Sequence, residues 1–185
     1  MDRGTVILCP YCGAENIPGA DTCDECLEDL THLDRPRPGS AVERSLMRDP
    51  LSALQPPVPQ RVAPDAPVEE VVRAMVGRHI GAILVWEGDN LVGIFSERDL
   101  IVRLGDRYHE LKDRPIREFM TPKPEVLRIN DTIAYALNRM DVGDYRHLPI
   151  LDDTHSYPTG IIAVRDILFY IASQYPELMD GARSA

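Results

Sequence analysis

Cationic side chains, aromatic side chains and long apolar runs are all scarce in this chain of 185 residues. Its 20 Lys and Arg are outnumbered by 30 Asp and Glu, and a net charge of -10 disfavours non-specific nucleic-acid binding, which needs dense cations. No apolar run approaches the ~18–20 residues that span a bilayer. The first eight residues are too short and too acidic for a secretory signal. We therefore expect no membrane association, no nucleic-acid partner and a cytoplasmic location.

Cysteine is absent except at Cys9, Cys12, Cys23 and Cys26, which form two C-x-x-C pairs. Four thiolates in this spacing suit the tetrahedral preference of zinc. Two disulfides are the alternative, but they would strain the C-x-x-C loops and nothing indicates an oxidising compartment. A redox motif would need one pair beside a βαβ pattern, which is missing here. The spacing therefore predicts a structural Zn²⁺ site.

The segment around these cysteines resembles the small zinc ribbons of bacterial cytoplasmic proteins. It is too short for an adequate apolar core, so we expect the metal to fold it. Between residues 9 and 30 there is no Lys or Arg, but there are six acidic residues: Glu15, Asp21, Asp24, Glu25, Glu28 and Asp29. Such a surface repels phosphate, which favours a protein-docking or purely structural role over nucleic-acid binding.

Prolines recur between residues 31 and 59, which indicates a connector. Within it, Ser40 and Glu43 form a capping-box pattern ahead of Leu46 and Met47, which predicts one short helix.

The remainder of the chain repeats itself. Asp65 and Asn130, 65 residues apart, each precede an apolar helical pattern and are predicted N-caps. At the same offset, the strand at 83–85 aligns with 148–150, and at an offset of 67 the segment from Gly93 to Asp99 aligns with that from Gly160 to Asp166. Each unit reads as strand, helix, strand, turn, strand, helix. One unit alone would leave a sheet face uncovered, so two units should pack together.

Three features resemble the CBS-domain family, whose tandem pairs are called Bateman modules. They are Met120-Thr121-Pro122, the run from Tyr145 to Ile150, and the two segments that end in Arg-Asp. The resemblance implies an α/β (α+β) fold of two β-α-β-β-α CBS repeats related by a pseudo-twofold axis. We expect a zinc ribbon (1–31), a Pro-rich linker with a short helix (32–55), CBS repeat 1 (56–112), CBS repeat 2 (113–175) and a C-terminal tail (176–185).

Ser96 and Asp99 lie where a strand meets a helix, and such a junction suits a nucleotide. A hydroxyl there can bond phosphate, and a carboxylate three residues later can accept from both ribose hydroxyls. The same pair is also close to a capping box, which binds nothing. In the second repeat Asp166 matches Asp99, but Ala163 stands where Ser96 does and lacks the hydroxyl.

The resemblance implies two crossed clefts for adenosine-containing ligands. Ser96 and Asp99 would work with Thr121 and Tyr145, and Asp166 with Val58 and Ile80. Ile94 and Ile161 would pack on the purine faces. Arg146 and His147 occupy positions where relatives contact phosphates, although a solvated basic edge explains this pair equally well.

Three functions remain to be compared. The first is a regulatory module that binds an AMP-, ADP- or ATP-like ligand, with the signal passed to an unknown protein partner through dimer geometry and the ribbon. The second is a ligand-free homodimeric scaffold that presents the ribbon to other proteins. An enzyme ranks last, because the sequence offers no nucleophile–base pair, no Gly-rich phosphate loop and no open metal site.

Overall fold

A computed structural model describes residues 6–17, 20–30 and 40–176. The chain divides into two units, with the boundary between Ser40 and Ala41. The predicted linker prolines Pro36 and Pro38 lie outside the described residues, as does the predicted tail from residue 177 onward.

The first unit is built around the four cysteines. Strand β1 (Ile7–Leu8) pairs antiparallel with β2 (Glu15–Asn16). Its small core consists of Cys9, Cys23 and Leu30, with Ala14 and Ala20 packed against them. Two cysteines, one leucine and two alanines bury too little apolar surface to stabilise a fold of this size unaided.

The second unit begins its first repeat with a four-stranded sheet in the order β3-β4-β5-β6. Strand β3 (Arg61–Val62) runs parallel to β4 (Ala82–Glu87), and the connection between them is helix α2 (Val68–Arg78). Strand β5 (Asn90–Ser96) lies antiparallel to β4 and to β6 (Thr121–Pro122). Strand β4 is buried along nearly its whole length, as its β-branched and apolar run predicts.

A broken helix follows β5. It starts as α3 (Glu97–Asp99), widens into a π-helical turn at Leu100–Leu104, and tightens into a 3₁₀ turn at Gly105–Arg107. Helix α4 (Tyr108–Leu111) and a 3₁₀ turn at Ile116–Glu118 then lead to β6.

The second repeat has the same order of elements with a regular final helix. Strand β7 (Leu127–Arg128) runs parallel to β8 (His147–Leu151) across helix α5 (Ile133–Gly143). Strand β9 (Gly160–Ala163) pairs antiparallel with β8 and leads directly into α6 (Val164–Gln174). The structure therefore confirms the predicted strand–helix–strand–strand–helix repeat in both copies.

The two repeats meet through their sheets. Ala82, Leu84 and Trp86 of β4 form one buried cluster with Ile94, and Ile161 of the second repeat packs against it. Ile94 and Ile161 are the matched positions of the internal repeat, so each repeat covers the sheet face that the other would leave exposed.

The predicted short helix is present as α1 (Ala41–Arg48), followed by a 3₁₀ turn at Leu51–Leu54. This segment is part of the second repeat's core, because Leu51 is fully buried there and Leu46 packs against the same cluster. Its backbone is tied down as well: Leu51 N–H donates to the Asp131 carbonyl, and Ile133 N–H donates to the Asp49 carbonyl.

The predicted N-caps of α2 and α5 were wrong by two residues. Pro67 precedes α2, and a residue before proline avoids the helical region, so no helix can begin at Asp65. At α5 the cap is Thr132, whose hydroxyl accepts from Tyr135 N–H. The Asn130 amide instead donates to the Asp153 carboxylate at 2.6 Å.

Candidate functional site

The four cysteine sulfurs of the first unit come together as one cluster. All four Sγ atoms lie within 4.8 Å of one another. The Cys9–Cys26 separation is 3.6 Å and the Cys12–Cys23 separation is 3.5 Å. Zn–S bonds of ≈ 2.3 Å in a tetrahedron place sulfurs about 3.8 Å apart, so this cluster could hold a metal ion through four thiolates.

Two matching turns position these sulfurs. Gly13 N–H donates to the Cys9 carbonyl, and Leu27 N–H donates to the Cys23 carbonyl, both at 2.9 Å. Each donor residue has a left-handed backbone, with φ of 77° at Gly13 and 60° at Leu27. Glycine adopts this conformation without cost, whereas leucine does not. The first turn therefore has the residue that its backbone requires, and the second turn is strained.

Asn16 supports the cysteine cluster, although no motif in the sequence indicates this role. It is buried, its amide donates to the Ala14 carbonyl at 2.9 Å, and its oxygen accepts from Asp24 N–H at 3.0 Å. Its amide nitrogen lies 3.7 Å from Cys23 Sγ. The backbone N–H of Cys26 is the main cause that lowers the pKa of Cys23 to about 6, which favours the thiolate that metals bind.

The first cleft of the repeat module brings together seven predicted residues around a volume of about 340 Å³. They are Ile94, Ser96, Asp99, Thr121, Tyr145, Arg146 and His147. Both repeats contribute to this cleft, because the first three residues belong to the first repeat and the last three to the second. Thr121 comes from β6, the edge strand that follows the first repeat's broken helix.

Asp99 is the buried carboxylate of this cleft, with 8% of its surface exposed. Its Oδ2 accepts from Ser96 N–H at 2.9 Å and from Ser96 Oγ at 2.7 Å. Its Oδ1 accepts from Thr121 Oγ1 at 3.0 Å and contacts Arg103 Nε at 3.2 Å. Ser96 and Asp99 form a complete capping box, so the capping role weighed for this pair is present in the structure.

Three arginines line the first cleft, and they differ in whether they form ion pairs. Arg98 is paired with Asp144 at 2.5 Å, and Arg103 is paired with Asp99. Arg146 shows no ion pair within the part of the chain that the structure describes. Arg146 is therefore the cation best placed to meet a ligand anion.

His147 forms a wall between the two clefts and lines both of them. Its ring lies against Gly81, where an added Cβ would be only 2.6 Å from its Nε2. Burial lowers the pKa of His147 below its usual value, against the opposing pull of Glu97 and Asp166. Its Nδ1 is buried and has no hydrogen-bond partner among the described residues.

The second cleft, of about 280 Å³, gathers the other four predicted residues: Val58, Ile80, Ile161 and Asp166. Asp166 accepts from Ala163 N–H at 2.7 Å, but Ala163 has no hydroxyl to complete the box. Arg78 and Arg165 line this cleft too.

Arg103 and Arg78 are cleft residues that the sequence analysis did not single out. For Arg103 a signal existed, since it lies four residues after Asp99 and ion pairs at this spacing are common on helices. For Arg78 the sequence contains no such signal, because a basic residue at a helix end is ordinarily exposed to solvent.

No helix among the described residues is both long enough and apolar enough to cross a membrane.

Comparison with known proteins identifies the repeat. The family model for the CBS domain matches residues 44–106 and 116–173. A CBS domain-containing protein of Arabidopsis thaliana is 30% identical over 91 residues, which is 49% of this chain and 16% of that protein. The chain thus spans about a sixth of that relative.

Solved structures show the same fold. A CBS-domain protein of Agrobacterium tumefaciens is 24% identical with a TM-score of 0.58, over 64% of this chain and 95% of that one. A CBS domain protein of Pyrobaculum aerophilum, solved in complex with AMP, is 22% identical with a TM-score of 0.57, over 67% of this chain and 98% of that one.

Proposed function

Because the chain belongs to the CBS-domain family, we propose that its repeat module is a regulatory domain that binds an adenine nucleotide and catalyses no reaction itself. The observation that carries this proposal is the first cleft, where Ser96, Asp99, Thr121 and Arg146 converge on one volume large enough for part of a nucleotide. The Pyrobaculum aerophilum relative, solved with AMP, supports the same class of ligand.

In the proposed complex, different residues of the first cleft contact different parts of the nucleotide. Asp99 accepts from the ribose hydroxyls, Thr121 and Tyr145 hold the adenine edge, and Ile94 packs on the ring. Arg146, His147 and Ser96 face the phosphate. The second cleft repeats this scheme with Asp166, Val58, Ile80 and Ile161, and Ala163 leaves it one phosphate contact short.

A regulatory signal requires a ligand that favours one geometry of the repeats over another. We propose that residues 56–112 and 113–175 are the two CBS repeats that bind the ligand. The module forms a homodimer in the cytoplasm. Residues 1–31 then carry the signal to a protein partner. Sedimentation velocity at micromolar concentration tests the homodimer, and a monomer there would contradict it.

The proposed ligand of Cys9, Cys12, Cys23 and Cys26 is a structural zinc ion. The close cluster of the four sulfurs fits four-thiolate coordination. Such coordination leaves no position for water, so the metal's part is to hold the ribbon together. Because residues 9–30 are acidic and contain no cation, the ribbon suits a protein partner and not a phosphate backbone.

Titration of ligand-stripped protein with AMP, ADP, ATP and S-adenosylmethionine tests the sensor function. We expect saturable binding of at least one of them, and mass spectrometry of small molecules released from the purified protein should identify the ligand acquired in cells. If none binds at millimolar concentration, the sensor proposal fails.

The second candidate function is a ligand-free dimeric scaffold that presents the ribbon. Two observations favour it: the Asp99 carboxylate already accepts from protein groups at both oxygens, and Ala163 removes a hydroxyl from the second cleft. The same titration separates the two functions, since a scaffold binds none of the four compounds.

A further inference from the structure

Arg103 contacts three groups in or beside the first cleft. Its guanidinium donates to the Met120 carbonyl at 2.6 Å and to Thr121 Oγ1 at 3.1 Å, and its Nε lies 3.2 Å from Asp99 Oδ1. Two of these three partners, Thr121 and Asp99, are the residues that would hold the adenine and the ribose. Arg103 therefore occupies part of the proposed binding position.

The Asp99 carboxylate has no acceptor capacity to spare. Oδ2 accepts from the Ser96 N–H, a bond that belongs to the capping box, and from the Ser96 hydroxyl. Oδ1 is used by Thr121 and Arg103. Since a carboxylate oxygen accepts about two hydrogen bonds, ribose hydroxyls can bind to Asp99 only if some of these donors leave it. Among these donors Arg103 can move into solvent, since 38% of its side chain is already exposed.

The second cleft lacks this arrangement. By the offset of 67 that relates Asp99 to Asp166, the counterpart of Arg103 is Tyr170. The Tyr170 hydroxyl points elsewhere and donates to Asp49 at 2.6 Å. The helix geometry differs accordingly, with a π-helical turn at Leu100–Leu104 and a regular α6 in the second repeat. The Arg103 contact is thus particular to the first cleft.

On the basis of the proposed function, we infer that Arg103 sets the ligand selectivity of the first cleft. A ribose that takes Asp99 Oδ1 releases a guanidinium into a cleft that Arg98 and Arg146 also line. Of the carboxylates that line this cleft, Asp144 is already paired with Arg98 and Glu125 with Arg139. A ligand anion therefore offers the released cation a partner that a neutral ligand does not. The first cleft therefore accepts phosphorylated adenosine and discriminates against the neutral nucleoside.

The test compares AMP with adenosine by calorimetry, using an Asp166→Ala background to remove the second cleft's carboxylate. With unmutated Arg103 we expect AMP to bind about tenfold or more tightly than adenosine, the lower range for hydrogen bonds to a charged group. Arg103→Gln should bind adenosine several times more tightly than the parent, and the preference for AMP should fall by about tenfold. Arg107→Gln, which removes an exposed cation paired with Glu110, is the matched control and should behave as the parent.

Arg103→Lys separates charge from geometry, because an ammonium keeps the cation but cannot span three acceptors as the planar guanidinium does. We expect it to bind adenosine more tightly while AMP keeps most of its advantage. If the parent binds AMP and Arg103→Gln leaves the adenosine affinity unchanged, the inference fails and the proposed function stands. If neither AMP nor adenosine binds to the unmodified protein or to Arg103→Gln, the inference fails, and the proposed function fails with it only if ADP, ATP and S-adenosylmethionine do not bind either. Thermal melting confirms that each variant is folded.

Discussion

Asp99 caps the helix that follows β5 and also lines the first cleft, so its two roles have to be separated by experiment. The capping box is visible in the structure through the Ser96–Asp99 hydrogen bonds. The ligand role rests on the proposed function. Stability and binding respond differently to the loss of this side chain, and that difference distinguishes the roles.

Asp99→Ala should weaken adenine-nucleotide binding by ~1.5–3 kcal/mol if the carboxylate accepts ribose hydroxyls, which is about tenfold to a hundredfold in Kd. A deoxyribose ligand should lose part of that energy in the parent protein and almost none in the variant. Calorimetry measures both.

If Asp99 only caps the helix, Asp99→Ala should lower the free energy of unfolding by ~1 kcal/mol and leave the Kd for the nucleotide nearly unchanged.

Asp166→Ala is the corresponding variant in the second cleft. We expect a smaller loss of affinity there, because Ala163 leaves the second cleft short of one phosphate contact.

Leu27 offers a second residue-scale prediction, because it holds a φ of 60° with 76% of its surface exposed. Leu27→Gly should relieve the strained backbone and lose little packing. If ribbon folding is coupled to metal binding, zinc affinity should rise by about fivefold, equivalent to ~1 kcal/mol. Competition with a chromophoric chelator measures the affinity.

Gly13→Ala is the matched control at the corresponding turn, where φ is 77° and an added Cβ meets nothing within 4 Å. It should lower zinc affinity, because strain is its only effect. Equal effects of the two substitutions, or tighter zinc binding by the alanine variant, would contradict the strain argument.

Among the secondary-structure elements, the order of strands and helices in the repeat could be predicted from the sequence, but the irregular helix turn could not. Apolar periodicity and the offsets of 65 and 67 predicted both sheets and the order of elements, because burial of one face enforces those patterns. The π-helical turn was not predictable, because Leu100–Leu104 has the composition of an ordinary helix. Within this turn Arg103 donates to Met120 and Thr121, and these tertiary contacts cannot be inferred from local composition.

The site divides in the same way. The cysteines could be named from their local spacing, and the cleft residues from the resemblance to the CBS-domain family. The support given by Asn16 could not, since an isolated asparagine in a short strand is ordinarily a surface residue. The predicted linker helix was recognisable from its capping pattern, but its packing on the second repeat depends on residues about 80 positions away, such as Asp131.

The 3₁₀ turn after α1 should contribute to the stability of the second repeat. Leu51 is fully buried in the core of the second repeat, so Leu51→Ala should lower the free energy of unfolding by ~2–5 kcal/mol through lost burial and the cavity it leaves. Met47→Ala, on the exposed part of α1, should change it by about 0.5 kcal/mol or less. Urea unfolding measures both. If residues 41–55 were a free linker, the two variants would be equally stable.

At the scale of the whole molecule, stability is divided between two unlike units. The repeat module has two large apolar clusters, whereas the ribbon's core contains two cysteines, one leucine and two alanines. All four cysteines of the chain lie in residues 9–26. A metal bound by these cysteines can stabilise the ribbon directly. The repeats contain no cysteine, so their stability does not depend on that metal.

Chelation should therefore unfold the ribbon and leave the repeat module intact. The protein as purified should carry one zinc per chain, and its removal should collapse the amide resonances of residues 6–30 into the random-coil region. Trp86, the single tryptophan, is buried between the repeats and reports on the module alone. Its urea-unfolding midpoint, followed by fluorescence, should be the same before and after chelation, and adding zinc back should restore the lost resonances. A ribbon that keeps its dispersed resonances without metal would show that zinc does not fold it, and a shifted Trp86 midpoint would show that the two units do not unfold independently.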